Sequence, residues 1–114
     1  MSELETLHDR AMELADQAYV ANRKGDAVLS LKLTREALEI ESKAADLLRD
    51  RLDVEPTRSV LYRSAASLAL DCGRNRVAAD LVKRALNGQP PREIEEELKD
   101  ILVDAKRNLK LKSD

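Results

Sequence analysis

Six residues punctuate this chain, three glycines and three prolines among 114 residues. They stand at Gly25, Pro56, Gly73, Gly88, Pro90 and Pro91, and the segments between them carry apolar residues at spacings of three and four. That period belongs to the amphipathic helix, and glycine and proline are the residues that end one. The placement predicts an all-α domain of about five helices arranged as antiparallel hairpins. Composition agrees: 37% of residues are charged, 2% aromatic, and there is no Phe or Trp. Alanine, leucine, glutamate, lysine and arginine favour helix, and the core must be aliphatic. The chain reads as one domain over 1–114, with a first hairpin at about 2–53, a second at about 57–88 and a capping helix at about 91–110.

In chain order, Ser2 and Glu5 form a capping box for a first helix over about 2–24. Leu4, Leu7, Ala11, Leu14, Ala18 and Ala21 make its apolar stripe, and Gly25 offers a left-handed cap. Asp26 caps the second helix. With no Gly or Pro before Pro56, that helix is expected to run through Val54, about 27 residues and ~40 Å at 1.5 Å per residue; the alternative is a break near Glu41–Ser42. It carries two apolar stripes, one through Leu31, Leu38, Ala45 and Leu52, the other through Leu33, Ala37, Ile40, Ala44 and Leu47. Such a helix is expected to be contacted from two sides. Pro56 marks the next boundary. Thr57 or Asp53 caps a third helix that stops at Gly73, Asn75 caps a fourth, and Pro91 opens a fifth in whose first turn a missing N–H costs nothing. The tail KLKSD is expected to fray.

Gly25 and Gly73 each separate two helices, and the residues around them align without a gap. In the second hairpin Tyr62 is followed by Ala65, Ala66 and Ala69, then Gly73, then Ala78, Val82, Ala85 and Pro90. This pattern resembles the tetratricopeptide repeat: a large residue, a small pair, a turn glycine, small residues where two helices cross, and a closing proline. The first hairpin is similar through Leu14, Ala18, Ala21, Gly25, Ser30, Thr34, Ala37 and Leu38. Gln17 and Thr34 are more polar than the family's pattern, and Ser42 stands where the proline should be. The two glycines are 48 residues apart, against the family's repeat of about 34. Residues Lys43 to Pro56 are thus expected as an extension of the second helix, with the fifth helix shielding the last repeat in a right-handed superhelix.

The resemblance implies partner binding through a concave surface lined by the first helix of each hairpin. By position, that surface presents Met12, Ala15, Tyr19, Asn22 and Arg23, then Val60, Arg63, Ser67, Leu70 and Asp71. Tyr19 and Leu70 would bury apolar groups, while Arg23 and Arg63 would meet carboxylates of a protein or peptide. The family's clamp for a C-terminal carboxylate wants Lys and Asn where this chain has Ala15 and Tyr19, so chaperone-tail binding is not implied. Two repeats leave two open ends, and the doubly apolar second helix makes a homodimer a further expectation.

Chemistry is sparse. His8 is the single histidine and falls on the polar side of its helix, as a surface residue. Cys72 excludes an internal disulfide and reads as a small buried hydrophobe. Glu93, Glu95, Glu96 and Glu97 are helix-start charges on a solvated face. No phosphate loop, nucleophile elbow or CxxC is present, so neither an enzyme nor a cofactor or metal site is expected. Between Glu55 and Gly88, Arg58, Arg63, Arg74, Arg76, Lys83 and Arg84 outnumber Glu55, Asp71 and Asp80. That basic patch gives the alternative, a nucleic-acid-associated or regulatory protein, although the net charge of −2 and the lack of aromatic platforms argue against nucleic acid. The apolar runs are far short of the ~20 residues that span a bilayer, and the acidic N-terminus is unlike a signal peptide; a cytoplasmic location is expected.

Overall fold

The computed structural model describes residues 2–112. Five helices follow one another: α1 (Glu3–Arg23), α2 (Ala27–Leu47), α3 (Thr57–Asp71), α4 (Asn75–Leu86) and α5 (Arg92–Lys112), with a single 3-10 turn at Leu52–Val54. No strand occurs among the described residues. Each helix packs on the next in sequence, and α5 also reaches back to α3. The molecule is a slab of 42 × 40 × 19 Å, about two helix diameters thick.

The two hairpin turns are built alike. Gly25 and Gly73 hold φ at 83° and 77°, a region that favours glycine because it lacks a Cβ. At the first, the Asp26 N–H reaches the Ala21 carbonyl (2.9 Å) and Gly25 reaches Asn22 (3.0 Å); at the second, Arg74 reaches Ala69 (2.8 Å) and Gly73 reaches Leu70 (3.1 Å). Both are Schellman closures, which satisfy the last carbonyls of a helix while turning the chain. Burial keeps the same register. Leu14, Ala18, Ala21, Thr34 and Ala37 are buried in one hairpin, as are Tyr62, Ala66, Ala69, Val82 and Ala85 at the matching places of the other. Where the second hairpin crosses on Ala66 and Ala78, the first has Ala18 and Ser30. The Ser30 hydroxyl donates to the Ala18 carbonyl at 2.9 Å, and Thr34 donates to the Ser30 carbonyl at 2.8 Å. Polar residues are accommodated at this crossing because helix backbone accepts their protons. Gln17 instead lies on the surface.

The second helix departs from its expected length. It ends at Leu47, and Leu48, Arg49 and Arg51 turn the chain through hydrogen bonds three residues back. No local breaker dictates this; tertiary contacts do. The Arg49 carbonyl accepts from Arg58 Nε at 2.8 Å, and Asp46 accepts from the Tyr62 hydroxyl at 2.7 Å. These bonds fold the end of α2 onto α3, so the added residues form a turn and a 3-10 turn rather than seven more helical residues. The helix is still contacted from two sides, by α1 and α3. A cis peptide joins Glu55 to Pro56.

Three capping assignments change in detail. Neither Thr57 nor Asp53 caps α3; the Glu55 carboxylate does, accepting from the Ser59 N–H at 2.9 Å. Asp53 is taken by Arg51. Asn75 is the first residue of α4, not its cap, and its side-chain oxygen accepts from Asn108 of α5 at 3.0 Å. At the C-terminus, Lys110 to Lys112 continue α5 rather than fraying; Ser113 and Asp114 lie outside the described residues. Ser2 and Asp26 cap as expected, accepting from Glu5 and Leu29 N–H groups at 3.2 and 3.0 Å.

Candidate partner-binding groove

Helices α1, α3 and α5 line one face, and between them runs a cleft of about 470 Å³. Met12 and Ala15 form one wall, Leu68 and Ser67 the floor, and Ile101 with Asp100 the other wall. Arg63 and Glu97 close one side with an ion pair of 2.8 Å. A second hollow, also about 470 Å³, lies against the α1, α2 and α3 ends and is lined by Tyr19, Asn22 and Asp71 among others. Burial raises the Asp71 carboxyl above its ordinary range.

The predicted site residues therefore divide. Met12, Arg63 and Ser67 meet in the main cleft, and Tyr19 and Asn22 in the neighbouring hollow. Arg23 lies beside Tyr19, its guanidinium 6.0 Å from the ring centre and 3.3 Å from the hydroxyl. Leu70 packs against the core instead. Val60 lines a separate notch of about 280 Å³ with Leu4, His8 and Pro56. Glu97, Asp100 and Ile101 were not anticipated. Their signal was the apolar spacing of the fifth helix together with its acids, which pointed to solvation until the fold brought that helix beside Arg63.

Two buried polar clusters also escaped sequence reasoning. The first surrounds Arg58, which is only 2% exposed. Besides Arg49, its guanidinium donates to the carbonyls of Arg84 (2.7 Å) and Ala85 (3.2 Å). Glu55 stands 3.5 Å away, and the Tyr62 ring centre lies 5.2 Å from the guanidinium carbon. Arg58 thus caps the end of α4 and the turn after α2 at once. Gly88 sits so close that a Cβ there would collide with the guanidinium and the Glu55 carboxylate. Burial of Glu55 disfavours its charged form, but the bonds from Ser59 and the Gln89 N–H, with Arg58 beside it, outweigh this and lower its pKa. Tyr62 shifts upward, through burial first and then its bond to Asp46. Arg84 completes the set at 3.2 Å from Asp46.

Of the expected basic patch, Arg74, Arg76 and Lys83 are exposed, whereas the other three residues are engaged. Arg58 is interior, Arg63 is paired with Glu97 and Arg84 with Asp46. The second cluster gives the part-exposed His8 an unanticipated partner: its Nδ1 lies 2.9 and 3.0 Å from the two oxygens of Glu41, a carboxylate that is 0% exposed. Cys72 is a buried free thiol, as expected. No buried side-chain N or O among the described residues lacks a hydrogen-bond partner, so these clusters work as fully satisfied struts. No group of three or more His, Cys, Asp or Glu suited to a metal is found among the described residues. No helix there is long and apolar enough to cross a membrane.

Comparison with protein-family models, with curated proteins and with solved structures yields no significant match.

Proposed function

We propose that the chain is a tetratricopeptide-like interaction module whose α1–α3–α5 groove binds an extended or helical peptide. The observation that carries this reading is the cleft itself: an apolar lining from Met12, Ala15, Leu68 and Ile101 between polar rims, about 470 Å³ in volume. A partner could bury two or three apolar side chains there, each contributing about 1.5–3 kcal/mol of burial before ordering costs. The shared turn geometry and burial register of the two hairpins support the repeat on which the reading rests.

The polarity of the partner is revised from the sequence expectation. Arg63 is already held by Glu97, and Arg23 lies against Tyr19. Asp100 and Asp71 line the hollows without an ion partner among the described residues. The groove therefore suits a peptide carrying Lys or Arg among apolar residues rather than an acidic one. Fluorescence polarisation with two peptide pools matched in apolar content, one basic and one acidic, tests this. The basic pool should bind more tightly, and Ile101→Glu should remove that binding. Equal binding of both pools, or no effect of Ile101→Glu, rejects the groove.

A further inference from the structure

The two ends of the slab carry complementary faces. On the outer side of the first hairpin, opposite the groove, Val20, Ala21, Leu29 and Leu33 line an open apolar hollow of about 490 Å³. Glu13, Asp16 and Gln17 border it, with Lys24 at one end. Val20 is 48% and Leu29 42% exposed. At the far end of the helix order, α5 buries Leu98 and Ala105 and turns the opposite face outward. That face holds Val103, 55% exposed, with Lys106, Arg107 and Lys110, all exposed.

We propose that the outer hollow of the first hairpin receives the outward face of α5 from a second copy of this chain. The register is the argument. Residues three, four and seven apart share a helix face, and both faces repeat at those intervals: Glu13, Asp16, Gln17 and Val20 on α1, Val103, Lys106, Arg107 and Lys110 on α5. When the two helices run antiparallel, Val103 meets Val20, Arg107 meets Asp16, and Lys110 meets Glu13 in one alignment. Asp16, Lys106 and Lys110 have no ion partner among the described residues, while Glu13 and Arg107 hold only exposed pairs within their own helices, at 3.3 Å each. Such pairs are weak and readily exchanged. The like-charge neighbours in this register are Lys24 and Lys99, and Glu95 already holds Lys99 at 2.7 Å.

Because donor and acceptor faces differ, the contact is heterologous, and each added copy exposes a fresh hollow. Association grows with concentration beyond a dimer and weakens with salt. It uses the ends of the slab and leaves the α1–α3–α5 groove open, so its failure is distinct from failure of peptide binding.

Sedimentation velocity over a wide concentration range, at low and high salt, tests the proposal. Two variants are used, Glu13→Lys/Asp16→Lys and Arg107→Glu/Lys110→Glu, with far-UV circular dichroism to confirm that each is folded. The wild type should form species larger than dimers at low salt. Each variant alone should be shifted to monomer, and an equimolar mixture should reassociate, because one variant keeps the native acidic hollow and the other the native basic face. A wild type that stays monomeric overturns the proposal. So does one that stops at a closed dimer, or one whose association both variants retain.

Discussion

Arg58 shows how one side chain can decide a fold boundary. Its guanidinium offers donors in a rigid planar fork, and three of them meet backbone carbonyls from two separate segments, at Arg49, Arg84 and Ala85. Lysine cannot span that arrangement. Arg58→Met should cost about 2–4 kcal/mol, since the buried carbonyls lose their donor and the Glu55 carboxylate loses its ionic neighbour; urea unfolding measures it. Gly88→Ala attacks the same contact from outside. It should destabilise by about 1–3 kcal/mol through overpacking, and less so in an Arg58→Met background. Full additivity of the two would show that they are not coupled.

Glu55 gives this cluster a pH dependence. Its carboxyl is held below its ordinary value of 4.5, so folding favours the ionised form. That stability is present above about pH 4.5 and is lost as pH falls through the lower folded-state value. Glu55→Gln should flatten the acid limb of the stability curve; an unchanged limb would assign it to other carboxylates. His8 and Glu41 form the second strut. Removing the imidazole leaves a fully enclosed carboxylate without its partner, so His8→Ala should cost about 1–3 kcal/mol. The double variant His8→Leu/Glu41→Leu should recover part of that loss, because an apolar pair needs no compensation.

At the scale of the element, helices α1, α3, α4 and α5 were legible because local signals and tertiary demands agree. Gly25 and Gly73 are the turn residues that Schellman closures want, and the alanine spacing places small residues at the crossings. Gly73→Ala should cost about 1–2 kcal/mol through its positive φ, measurable by thermal or urea unfolding. The end of α2 was illegible for the opposite reason. Its sequence after Leu47 contains good helix formers and no breaker, while Arg58, Tyr62 and Arg84, which bond its end, lie 11 or more residues further along. Arg58, read as part of a basic patch, is interior because carbonyls distant in sequence accept from it. The groove was half legible. Met12, Arg63 and Ser67 were placed by the expected repeat register and line the candidate cleft, but the α5 wall depends on where a helix outside both hairpins comes to rest.

At the scale of the molecule, helices in sequence order make a thin slab with an inner groove and two unlike ends. A small aliphatic core is supplemented by satisfied polar struts, one at the turn after α2 and one between α1 and α2. The groove walls come from α1, α3 and α5, so an occupant would bridge the first hairpin, the second hairpin and the final helix. The most direct measurement is a titration of 15N-labelled protein with the tightest basic peptide from the matched pools, mapping amide shifts. Shifts clustered at Met12, Ala15, Ser67 and Ile101, and abolished by Ile101→Glu in a folded protein, are the predicted result. Shifts confined to other surfaces, or unaltered by that substitution, would contradict the account.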